Sequence, residues 1–61
     1  MKTTKVIALE TLKNAYDQVL FVEGETYTII NTTSTSLFIL NELRTETYMT
    51  KSRASKYFVF A

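Results

Sequence analysis

Neither cysteine nor histidine occurs in this 61-residue chain, and that double absence limits how the chain can hold itself together. Disulfides are excluded, as is a structural zinc site of the usual kind. A domain this short buries only about 60% of the surface its unfolded form exposes, so its core is marginal. Without covalent or metal staples, the stabilising device left to such a chain is self-association. The hydrophobic share of 46%, with four Tyr and four Phe, belongs to a folded chain rather than a disordered one. A homodimer is therefore expected, built from residues 1–61 as a single small domain.

The same absence narrows the chemistry. There is no imidazole to act as a base near neutral pH and no thiol nucleophile. Glu23 and Glu25 share a strand face but flank a glycine, which makes them solvated turn residues. Glu42 and Glu46 lie on either side of a chain reversal, and nothing gathers further oxygens into a hard-cation site. A single Gly excludes a phosphate-cradling loop. The expectation is a non-enzymatic protein with no catalytic residue, metal or cofactor.

Strand signals dominate the chain. Thr26-Tyr27-Thr28-Ile29-Ile30 is β-branched and aromatic, and Leu37-Phe38-Ile39-Leu40 is apolar on both faces. The Thr- and Ser-rich run Asn31 to Ser36 between them favours a turn, which makes the pair a hairpin. Leu43-Arg44 reverses the chain into Thr45-Glu46-Thr47-Tyr48-Met49-Thr50, and Tyr57-Phe58-Val59-Phe60 forms a closing strand. Gly24 marks a tight turn into the strand at Thr26. Upstream, Thr3 to Leu9 has strand character, yet Leu9, Leu12, Tyr16, Val19 and Leu20 recur at helical spacing. Ala8 to Leu20 therefore admits two readings, a short amphipathic helix or a strand followed by a loop. The fold class is mainly β: a five-stranded small barrel or curved antiparallel sheet, with or without that helix.

Several of these segments resemble a broad group of small SH3-like β-barrel proteins from phages and Gram-positive bacteria. They are Lys5-Val6-Ile7-Ala8-Leu9, Phe21-Val22-Glu23-Gly24-Glu25-Thr26-Tyr27, and Tyr48-Met49-Thr50-Lys51-Ser52-Arg53 ahead of Tyr57-Phe58. The resemblance implies a short helical turn beginning at Lys51-Ser52-Arg53. It also implies a phage or mobile-element accessory protein that inhibits a host protein, including a defence factor, by direct binding. Two features depart from the group: the Leu43-Arg44 turn lacks an Asn/Asp-Gly pair, and Glu10 to Gln18 has helical character.

Surface chemistry supplies the candidate site. Tyr48, Arg53, Tyr57 and Phe58 are the expected partner-binding residues, because Tyr and Arg are enriched at interface hot spots. Lys2, Lys5, Lys51, Arg53 and Lys56 concentrate positive charge near the two ends of a chain whose net charge is only +1. If the first and last strands are neighbours, these cations and the aromatics between them form a nucleic-acid patch, which is the competing function. A structural part of a phage assembly is the third. The apolar run Val6 to Leu9 is too short for a membrane span, and a cytoplasmic location in a bacterial host is expected.

Overall fold

A computed structural model describes residues 4–61, arranged as seven strands and one helix. The strands are β1 (Lys5–Ala8), β2 (Leu12–Lys13), β3 (Val19–Phe21), β4 (Thr26–Thr32), β5 (Ser36–Leu40), β6 (Glu46–Thr50) and β7 (Phe58–Phe60). The helix α1 (Lys51–Tyr57) separates β6 from β7. Five strands form one curled antiparallel sheet in the order β6-β5-β4-β1-β7, and β2 and β3 form a separate hairpin. The chain is thus mainly β, a curved sheet shaped as half of a barrel.

The curl follows from alternation and a bulge. Val6, Ala8, Tyr27, Leu37, Ile39, Met49 and Phe58 lie on the concave side and are buried. Register between β4 and β5 shifts between Ile29 and Asn31, so that Ile29 faces Ile39 while Asn31 faces Phe38. That extra residue bends the strand toward the core. Phe21, 1% exposed, covers the concave side from β3, with its ring edge-to-face on Tyr27 at 4.8 Å and on Phe58 at 5.0 Å. Ala54 of α1 is fully buried against the same core.

No helix forms from Ala8 to Leu20. Leu9 and Tyr16, two members of the helical spacing, are exposed, whereas Leu12 and Leu20 pack against the core from the β2–β3 hairpin. Asn14 instead turns the chain. Its Oδ1 accepts from the N–H groups of Tyr16 and Gln18 at 2.9 and 3.0 Å, and the Asn14 and Gln18 main chains close the loop. Local side-chain bonds of this kind compete with helical ones. Asp17 takes a positive φ of 65° at the end of the turn.

The loop between β5 and β6 repeats this device. Asn41 Oδ1 accepts from the N–H groups of Leu43 and Thr45, the Asn41 N–H donates to the Thr45 carbonyl, and Arg44 takes a φ of 65°. The reversal at Leu43-Arg44 thus works without a glycine, because Asn41 supplies the bonds and Arg44 the left-handed residue. Gly24 has a φ of 85° in a turn closed by Glu25 N–H on the Val22 carbonyl at 3.1 Å. That conformation favours a residue without Cβ.

Helix α1 begins where the resemblance places a helical turn and runs for seven residues. Thr50 caps it, its Oγ1 accepting from Arg53 N–H at 3.1 Å. The helix ends when Phe58 adopts an extended conformation and joins β1 as the sheet's last strand.

Candidate functional site

Because β6 is the last strand of the curled sheet and pairs only with β5, the half-barrel stays open along its far side. The β2–β3 hairpin faces that opening without pairing with it. A groove of about 460 Å³ results. Leu12, Leu20, Phe21 and Met49 supply its apolar lining, and Thr47 and Thr50 line the β6 side. Tyr48, Arg53 and Tyr57 complete it together with Lys13.

Three of the four expected partner-binding residues therefore border one groove, Arg53 and Tyr57 from α1 and Tyr48 at its rim, where alternation on β6 turns the Tyr48 ring to the Phe38 side, opposite to Met49. The helix makes this possible. Arg53 and Tyr57 are four residues apart on one face, and the guanidinium carbon sits 5.7 Å from the Tyr57 ring centroid. Tyr48 is exposed, but its hydroxyl accepts from Ser36 Oγ at 2.8 Å and its ring lies 5.2 Å from that of Phe38. It is a pre-positioned aromatic rather than a free rotor. Phe58 is the correction. Alternation on β7 turns it inward opposite Ala8, where it is 3% exposed in the core and out of reach of a partner.

Two contacts set the end of the groove remote from α1. The Glu42 N–H donates to the Leu20 carbonyl at 2.8 Å, and Tyr27 Oη donates to Glu42 Oε2 at 2.5 Å. The same Tyr27 oxygen accepts from the Val22 N–H at 2.7 Å. Burial, followed by the bond to Glu42, raises the Tyr27 pKa above its ordinary 10.0. Glu42 is accordingly engaged in tying the β5–β6 loop to β3 and β4.

The basic residues do not gather into one patch. Lys2 lies outside the described residues. First and last strands are neighbours, as expected, with Val6 opposite Phe60 and Ala8 opposite Phe58. Lys5, however, lies beside Ala61 at the end of this pair away from α1, about 10 Å along the strands from where the helix joins. On α1, Arg53 and Lys56 are three positions apart and share a side, whereas Lys51 stands roughly 140–160° around the helix from both. All four of these described cations are exposed.

Sequence reasoning missed the opposite wall. Leu12, Lys13 and Leu20 belong to the segment with helical spacing, and only the Asn14 turn brings them across from β6. No protein-family model, curated protein or solved structure matches the chain. No helix among the described residues is long and apolar enough to cross a membrane.

Proposed function

We propose that this chain is a non-enzymatic protein-binding module that uses the groove between β6 and the β2–β3 hairpin. The observation that carries this reading is a groove lined by Leu12, Leu20, Phe21 and Met49, with Arg53 and Tyr57 beside it and Tyr48 at its rim. Aromatic and Arg side chains beside desolvated apolar surface are the composition of interface hot spots. Small size, and the resemblance to phage SH3-like proteins, favour an accessory protein that acts in the bacterial cytoplasm by occupying a host protein, a defence factor among the candidates.

The test is affinity capture from a bacterial host with the unaltered chain and with a Tyr48→Ser/Arg53→Glu variant, both checked for folding by circular dichroism. A host protein retained by the first and lost by the second, together with a change in phage infection only for the first, is the expected result. Equal retention by both, or none by either, overturns the reading.

A second copy of the chain is the other proposed partner, and β7 is the edge that favours it. The Ala61 N–H donates to the Lys5 carbonyl and the Leu9 N–H to the Tyr57 carbonyl. By alternation the main-chain groups of Phe58 and Phe60 then face away from β1. Val59 and Phe60 are 49% and 46% exposed beside that open edge, and two such edges placed side by side would continue the sheet.

A further inference from the structure

We propose that the groove receives an extended peptide strand, apolar and acidic in alternation, which hydrogen-bonds to the open edge of β6 and extends the sheet. This rests on the protein-binding reading and specifies the chemistry of the partner.

The open edge is defined by two bonds at the ends of the β5–β6 ladder. Asn41 N–H donates to the Thr45 carbonyl, and Lys51 N–H donates to the Thr35 carbonyl. Between them the pairing runs in unbroken register from Leu40 opposite Glu46 to Ser36 opposite Thr50. In an antiparallel ladder, hydrogen-bonded residues alternate with residues whose main-chain groups face the other way. Thr45, Thr47, Met49 and Lys51 therefore bond to β5. Glu46, Tyr48 and Thr50 direct their N–H and C=O groups to the open side.

An unpaired edge is ordinarily blunted by Pro, an exposed Lys, a bulge or a covering element. β6 has the sequence Glu-Thr-Tyr-Met-Thr, without Pro or Lys, and no irregularity in its pairing. Across from it, the β2–β3 hairpin is tied to the β5–β6 loop through the Leu20 carbonyl and leaves the groove between itself and β6. Five residues of β6 span roughly 16 Å, which accommodates four or five guest residues. Strand addition of this kind takes affinity from main-chain bonds and selectivity from pockets for alternate side chains.

Charge selects the guest. The charged side chains lining the groove are Lys13 and Arg53, and the carboxylate on the open edge, Glu46, sits at the end of β6 remote from α1. Lys13 is paired with Asp17 at 3.3 Å, whereas Arg53 has no carboxylate partner among the described residues. A guest carboxylate at the α1 end would pair with Arg53, while apolar side chains of the guest meet Leu12, Leu20 and Met49.

The experiment uses the full chain, labelled with ¹⁵N, and two fluorescent hexapeptides, one alternating valine with glutamate and one alternating valine with lysine. The glutamate peptide is expected to bind, to slow amide exchange at Glu46, Tyr48 and Thr50, and to bind more tightly than the lysine peptide. Arg53→Glu should reverse that order. Tyr48→Pro removes an outward N–H without breaking a bond to β5, so it should weaken binding about tenfold relative to Tyr48→Val, which keeps the N–H. Equal binding of the two peptides, equal binding by Tyr48→Pro and Tyr48→Val, or unmoved β6 amides at millimolar peptide each overturn the proposal. So do protection of those amides in the free protein with a dimeric mass, which makes the guest a second copy, and displacement of the glutamate peptide by oligo(dT). Failure here beside successful, Tyr48- and Arg53-dependent capture of a host protein leaves protein binding intact and removes only strand addition.

Discussion

The hydroxyl of Tyr27 donates to the Glu42 carboxylate at 2.5 Å and accepts from the Val22 N–H at 2.7 Å. One side chain on β4 thereby holds two loops that are far apart in sequence, and the end of the groove remote from α1 depends on it.

Tyr27→Phe should lower stability by about 1–3 kcal/mol, since it leaves a partly buried N–H and a carboxylate without their partner. Chemical denaturation reads this directly. The bond also has a pH signature. A phenol whose pKa is raised by folding contributes stability that is complete below its unfolded value of 10.0 and lost as pH climbs through the higher folded value. The unaltered protein should lose stability above pH 10 more steeply than Tyr27→Phe. Parallel alkaline curves for the two would refute the assignment.

Asn14 and Asn41 perform the same turn in different surroundings. Asn41 is 6% exposed and also donates to Thr45 Oγ1 at 2.9 Å and Thr47 Oγ1 at 2.8 Å, whereas the bonds of Asn14 are at the surface. Replacing Asn41 by Ala should cost about 2–3 kcal/mol because buried groups lose their partners, while the same change at Asn14 should cost about 0.5–1 kcal/mol. Comparable losses at both sites in urea titrations would show that burial is not what separates them.

Arg44 carries a positive φ of 65° on a side chain with no ion pair among the described residues. A non-glycine residue there costs about 1–2 kcal/mol, offset in part by the greater unfolded-state freedom of glycine. Arg44→Gly should therefore stabilise the chain by about 0.5–1 kcal/mol and raise its melting temperature by several degrees. A lowered melting temperature would mean that the Arg44 side chain contributes more than its backbone strain costs.

These two turns also mark where the fold was legible in the sequence. The β4–β5 hairpin announces itself through β-branched and aromatic runs around a Thr-rich turn, and Gly24 is the residue its φ calls for. From Leu9 to Leu20 the apolar spacing fits a helix equally well. What decides against it is tertiary: Phe21 must cover a concave sheet, and Asn14 offers the chain a turn that the spacing of apolar residues does not encode. The repetition of Asn at the start of both five-residue loops is the local signal available, since Asn14 and Asn41 each precede a left-handed residue by three positions. Tyr48, Arg53 and Tyr57 were readable by residue type. Leu12, Lys13 and Leu20 were not, because they meet β6 only after the hairpin folds over. Phe58 looks like Phe60 in sequence, and only register separates the core residue from the edge one.

Nucleic-acid binding should be weak. With Lys5 about 10 Å along the strands from the helix and Lys51 turned away from Arg53 and Lys56, a single strand meets two helical cations at a time. Retention on single-stranded DNA should then fall with salt at a logarithmic slope near −1.4, about 0.7 for each of two phosphates. A slope of about −3 or steeper would require a patch that includes more of the basic residues.

Phe58 and Phe60 give the proposed self-association a clean test, because the two share a strand but not an environment. Phe58 is 3% exposed and packs edge-to-face on Phe21, so Phe58→Ala should cost about 3–5 kcal/mol. For 61 residues the whole stability is roughly 3–9 kcal/mol, and most of the population unfolds whether or not the chain dimerises. Phe60, 46% exposed at the open edge of β7, has about half a side chain's burial to lose within one copy, about 1 kcal/mol. Phe60→Ala should stay folded by circular dichroism yet fall from dimeric to monomeric mass in light scattering at micromolar concentration. A folded monomer of the unaltered chain under the same conditions would remove the β7 dimer altogether, and a Phe60→Ala variant that remains dimeric would move the interface to another face.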